Sequence, residues 1–113
     1  MRSTQRVVKI KDGEVTGRYS DPPLLVLASL ANGPKHGHAM IEDIADMSGT
    51  RLGPGTLYGA IARLEAQGWI EALPAEDRRQ PYRITAEGLH VLRAQLTTLN
   101  QFAKAGLRRL ASL

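Results

Sequence analysis

The 113-residue chain carries 15 Lys and Arg against 11 Asp and Glu, a formal net charge of +4, and no cysteine. Disulfides and thiolate metal sites are thereby excluded, no apolar run approaches a membrane span, and the basic N-terminus lacks the apolar core of a signal peptide. One cytoplasmic domain with an aliphatic core is expected, since only Phe102, Trp69, Tyr19, Tyr58 and Tyr82 are aromatic and the length leaves no room for a separate sensor domain.

The charge is unevenly spread. Residues 1–20 hold five basic and two acidic residues; residues 21–113 hold ten and nine. A basic surface on the main domain must therefore come from segregation. Glu42, Asp43 and Asp46 cluster in one predicted helix, whereas Lys35, Arg51, Arg63, Arg78, Arg79 and Arg83 lie elsewhere. Within residues 1–20, the run VVKIKDGEVTGRY sets an Asp-Gly pair between β-tolerant segments. That suits either a short hairpin or an untethered basic terminus.

Ser20 or Asp21 caps a predicted first helix opening at Pro22-Pro23, which buries Leu24, Leu25, Leu27, Ala28 and Leu30 and stops at Asn32-Gly33-Pro34. A second helix over residues 37–47 turns Met40, Ile41, Ile44 and Met47 inward. The third opens at Gly53-Pro54, where proline suits the first helical position, and closes at Gly68. Its apolar face is Leu57, Ala60, Ile61 and Leu64. The opposite face carries Gly59, Ala62 and Ala66, edged by Thr56, Arg63 and Tyr58. A merely solvated face would more often carry Lys and Glu; one reduced to small residues can approach another surface closely. Residues 69–73 alternate as a strand, 74–80 form a polar turn, and Tyr82 and Ile84 lie on a returning strand, with Pro81 suited to an edge.

Thr85 is the natural N-cap of the last helix. In it Leu89, Leu92, Leu96, Leu99, Ala103, Gly106, Leu110 and Leu113 recur at steps of three and four, a heptad seam. No second long helix is present to receive that seam, so the expectation is a homodimer, with the first two turns also folding back on their own domain. The elements together predict a mainly α fold: a winged helix-turn-helix domain with a two-stranded wing and a long C-terminal dimerisation helix. The expected division is an N-terminal extension at 1–20, the winged domain at 21–85 and the dimerisation helix at 86–113. An enzyme is not expected. His36-Gly37-His38 could seed a metal site, but no third ligand stands at a known spacing, and the chain has no phosphate loop, nucleophile elbow or His-Glu-x-x-His. No cofactor is expected.

The ordered runs LLVLASLANGPKHGHAMIEDI, RLGPGTLYGAIARLEAQGWIE and DRRQPYRITAEG, within about residues 24–92, resemble the PadR family of bacterial transcriptional regulators. The resemblance implies a cytoplasmic homodimeric repressor that binds a pseudo-palindromic site in double-stranded DNA. It also implies contacts from Thr56, Tyr58, Gly59, Ala62 and Arg63 in the major groove, from Arg78, Arg79 and Arg83 in the wing, and from Lys35 and His36 before the second helix. His36 reads equally as a structural hydrogen-bonding residue, and Arg78-Arg79 as a solvated turn after Glu76-Asp77. Two positions depart from the family: Gly59 stands where proline is common, and His38 where tyrosine is usual. Residues 1–20 extend beyond the usual start, as a DNA-reaching arm or an inert tail. Some family members release DNA on binding a small aromatic or drug-like compound at the dimer interface, so a small-molecule effector is a candidate partner, with Trp69 and Phe102 as candidate linings or plain packing residues. The alternative is a winged-helix module for protein–protein contact without DNA.

Overall fold

The computed structural model describes residues 20–113, and the hairpin, tail and arm readings of the N-terminal extension lie outside them. Asp21 starts helix α1 (Pro22–Leu30) by accepting the Leu24 N–H on its carboxylate at 3.2 Å, with two prolines in the first turn where no N–H is needed. Leu24, Leu25, Val26, Leu27, Ser29 and Leu30 are all buried, because α1 is covered by helices on several sides. A short strand β1 (Lys35–His36) leads into α2 (Gly37–Ser48), which Gly49 ends in the left-handed conformation.

Helix α3 (Pro54–Gln67) ends in a Schellman motif: Gly68 N–H donates to the Glu65 carbonyl and Trp69 N–H to the Leu64 carbonyl. Strands β2 (Ile70–Ala72) and β3 (Pro81–Ile84) pair antiparallel, with Ile70 opposite Ile84 and Ala72 opposite Tyr82. β1 pairs with the other side of β3, giving the order β1-β3-β2. The expected two-stranded wing thus has a third strand of two residues, too short to show any alternation in sequence. Pro81 consequently lies on the central strand rather than an edge. It is tolerated there because it is the strand's first residue.

Thr85 joins wing to helix α4 (Ala86–Ala111): its hydroxyl accepts the Gly88 N–H at 3.1 Å and donates to the Gly68 carbonyl at 2.8 Å. Gly88 is where α4 passes the Trp69 backbone and Ile84; a Cβ there would collide with the Trp69 carbonyl oxygen. The core is aliphatic, with Leu27, Leu30, Met40, Ile44, Leu57, Ile61, Leu64 and Ile70 essentially sealed. Met47, expected inside, is 47% exposed.

The heptad seam divides into two rows. One row, Leu92 and Leu99, faces the subunit's own core: Leu92 is 5% exposed and Leu99 packs against the cluster. The other row faces out, with Leu89 38% and Leu96 45% exposed and Ala103 and Leu110 exposed beyond them. Beyond Leu99 no α4 residue is buried, and Phe102, Leu107 and Leu110 lie open. Leu92 is therefore corrected from a partner's contact to the domain's own, while Leu99, only partly buried, keeps an open side. Among the described residues no helix is long and apolar enough to cross a membrane.

Candidate nucleic-acid interface

Burial of Leu57, Ala60, Ile61 and Leu64 against the core turns the other side of α3 outward. Thr56, Tyr58, Gly59, Ala62, Arg63 and Ala66 are all exposed. A side chain grown at Gly59 would meet nothing within 4 Å, so no packing inside the subunit calls for glycine there. The start of α3 has no side-chain cap, which leaves its first N–H groups for an outside acceptor.

Arg78 and Arg79 occupy the wing tip. Glu76 and Arg79 exchange backbone hydrogen bonds, N–H to carbonyl, at 2.9 and 2.7 Å, closing a two-residue turn with Asp77 at φ 46° and Arg78 at φ 68°. This is a type I′ turn, whose twist suits a hairpin but whose central positions favour Asn-Gly or Asp-Gly. Arginine in the left-handed region costs about 1 kcal/mol there.

Ion pairing sorts the basic residues. Lys35 is turned to the end of α1: its ammonium donates to the Ser29 carbonyl at 2.5 Å and Asn32 Oδ1 at 2.7 Å, and lies 3.9 Å from Asp43. Arg83 is paired with its cross-strand neighbour Glu71, and Arg51 makes a bidentate pair with Glu42 at 2.9 and 3.0 Å. That contact holds the Glu42 carboxyl below its ordinary range. Lys35 and Arg83 each already have a carboxylate partner, which sequence separation concealed. Arg63, Arg78 and Arg79 take part in none of the ion pairs among the described residues.

His36 is the N-cap of α2, its Nδ1 facing the Ala39 N–H at 3.5 Å, and its Nε2 lies 3.4 Å from Arg79 Nη1. Tyr58 is half exposed, its hydroxyl over Gly37, where a Cβ would collide with the phenolic oxygen. His36, Gly37, His38, Tyr58, Arg78, Arg79 and Gln80 thus line a crevice of about 350 Å³ where α2, α3 and wing meet. Sequence reading named most of these residues singly; the contact between His36 and Arg79, 43 positions apart, left no local signal. Trp69 is partly buried on the core and Phe102 is 74% exposed on the free part of α4, so the two do not line one pocket within the subunit.

A helix-turn-helix whose second helix presents a bare face beside an arginine-tipped hairpin defines the winged-helix class. Comparison with known proteins narrows it. The transcriptional regulator PadR-like family matches residues 26–94, and the chain belongs to that family. It is similar to a transcriptional regulator from Clostridium thermocellum, at 29% identity and a TM-score of 0.67, over 74% of this chain and 84% of that one. A PadR family regulator from Eggerthella lenta is 33% identical with a TM-score of 0.62, over 73% and 70% of the two chains. Another, from Clostridium difficile, shares the fold at a TM-score of 0.71 and 22% identity, over 78% and 96%. An uncharacterised 37.1 kDa protein in transposon TN4556 of Streptomyces fradiae is 47% identical over 75 residues, which are 66% of this chain and 22% of that protein. The chain spans only about a fifth of that relative's length.

Proposed function

We propose that the chain is a cytoplasmic, non-enzymatic repressor that binds a pseudo-palindromic site in double-stranded DNA as a homodimer, with residues 21–85 reading DNA and 86–113 holding the dimer. The observation that carries this reading is the outward face of α3, bare at Gly59 and Ala62 and flanked by arginines free of ion pairs. A duplex major groove admits one helix, and this one meets it with small residues at the centre and donors at the margin. In the proposed contact set Thr56 and the uncapped helix start meet a phosphate or base edge, Tyr58 donates to a phosphate, and Ala62 touches a thymine methyl. Arg63 and the wing residues Arg78 and Arg79 contact phosphates or bases. Lys35 and Arg83 are left out.

The dimer is assigned to the outer row of α4. Leu89, Leu96, Ala103 and Leu110 stand seven residues apart, so an antiparallel copy sets Leu89 against Leu110 and Leu96 against Ala103, a self-complementary two-fold contact. Such a copy also lays its free end, with Gly106, Leu107 and Leu110, in the open groove of about 540 Å³ beside Ala31, Leu92, Leu96 and Thr97. Two recognition helices then face successive major grooves about 34 Å apart.

Footprinting on the DNA flanking the chain's own gene tests the reading, and a protected inverted repeat is the expected result. Arg78→Ala with Arg79→Ala should weaken binding to every duplex and flatten its salt dependence, measured by fluorescence anisotropy. Duplex binding that ignores salt, or none, would leave the winged helix as a protein-contact module instead.

A further inference from the structure

Helix α4 turns outward a seam other than the one its leucine spacing suggests. Leu92 packs on the subunit's own core. On the free side, the row beside Leu89, Leu96, Ala103 and Leu110 is therefore Arg93, Asn100 and Leu107, each four residues on from a member of the first row. All three are exposed, and Arg93 and Asn100 line the open groove together with Leu89 and Leu96. Asn100 stands mid-seam, with Leu96 one turn before it and Ala103 and Leu107 after it. Its side-chain amide has no hydrogen-bond partner among the described residues. Exposed, that amide is free to bond water. Covered by a second helix, it must find a partner that offers both a donor and an acceptor.

A second copy of the chain supplies both, and the inference rests on the α4 dimer proposed above. Setting Leu89 against the copy's Leu110 and Leu96 against its Ala103 puts the two-fold axis between positions 99 and 100. Leu99 packs toward its own core, whereas Asn100 faces out and comes within about 1.5 Å, measured along the helix, of the copy's Asn100. We propose that the two Asn100 side chains meet on the two-fold axis, each amide N–H donating to the other's carbonyl oxygen, and that this pair fixes the register of the dimer. Arg93 lies over the copy's Leu107, its stem on the leucine and its guanidinium at the rim, so no charge is buried. A slip of one heptad sets Asn100 against the copy's Leu107 in one direction and its Arg93 in the other, so the amides meet in one register only. Such a slip also moves one subunit about 10.5 Å along the other and carries its recognition helix with it. The asparagine pair thereby sets the half-site spacing that the dimer reads.

The chain has no cysteine, so single cysteine substitutions in the full chain report contacts without background. A disulfide needs Cα atoms about 4.4–6.8 Å apart. Asn100→Cys should therefore oxidise to a covalent dimer on a non-reducing gel, whereas Arg93→Cys, about 20 Å from its own copy, should not. Arg93→Cys mixed with Leu107→Cys should give the mixed covalent dimer. Charge gives a second reading of the same axis. Asn100→Asp and Asn100→Lys should each stay folded by melting curves yet self-associate at least about tenfold more weakly by light scattering, and mixing the two should restore the dimer. Three results overturn the axial pair and leave the α4 dimer standing: no crosslink through Asn100→Cys in a protein that is dimeric by light scattering, a crosslink through Arg93→Cys alone, or no recovery on mixing the charged variants. A wild type that stays monomeric overturns both.

Discussion

At the residue scale, Arg78 shows a local rule broken on the surface proposed for function. It holds φ 68° at a turn position that glycine would occupy without strain, and it makes no ion pair among the described residues. Arg78→Gly should therefore raise the thermal midpoint, by the equivalent of up to about 1 kcal/mol, while weakening duplex binding. Calorimetry and anisotropy on one preparation read both. Loss of stability would show that the arginine side chain supports the turn. Gly59 makes the matching case in a helix: glycine there costs about 0.5–1 kcal/mol relative to alanine, and no atom of the subunit fills the space a side chain would take. Gly59→Gln should leave the subunit as stable as wild type or slightly more so, yet reduce DNA affinity at least tenfold by holding the helix off the groove floor. Undiminished binding would remove the bare face from the account.

At the element scale, α4 carries two rows of one repeat: the inner packs on the core, and the outer is the one proposed to hold the dimer. Leu92 belongs to the core and Leu96 to the outer row, four residues on. Leu92→Ala should destabilise the fold by about 2–5 kcal/mol through a cavity and leave any surviving folded protein dimeric. Leu96→Glu should leave the fold intact and yield monomers by light scattering, with weak operator binding. A dimeric Leu96→Glu variant would relocate the interface. The seam as a repeat was legible in the sequence; its division was not, because the spacing is indifferent to which row the domain reaches first. Helix α3 was legible in full, since Gly53-Pro54 and Gly68 act within one turn of themselves.

At the scale of the whole molecule, the exposed Arg51–Glu42 pair bears on the response to pH. The Arg51 guanidinium, hydrogen-bonded to Glu42, holds that carboxyl below its unfolded value. The stabilisation this gives is present above the unfolded carboxylate range and is lost as pH falls through the folded one. Melting midpoints taken from about pH 7 down to about pH 3 should fall less steeply for Arg51→Gln than for wild type. Identical profiles would show the pair to be without thermodynamic weight, as many exposed pairs are. Tyr82, raised by partial burial, works in the opposite sense: its contribution is complete below the unfolded phenol value and is lost only as strongly alkaline pH is reached.

What the sequence determined by itself is what acts over a few residues: the helix stop at Gly68, the caps at Asp21 and Thr85, and the apolar side of α3, whose burial turns Gly59 and Ala62 outward. The tertiary structure alone decided which cations remain free, since Lys35, Arg51 and Arg83 meet carboxylates 8, 9 and 12 positions away while Arg63, Arg78 and Arg79 meet none. It alone decided that β1 joins the wing, that Met47 escapes the core, and that His36 faces Arg79. Short-range steric and capping preferences are properties of neighbouring residues. Charge pairing and donor convergence depend on where distant elements come to rest.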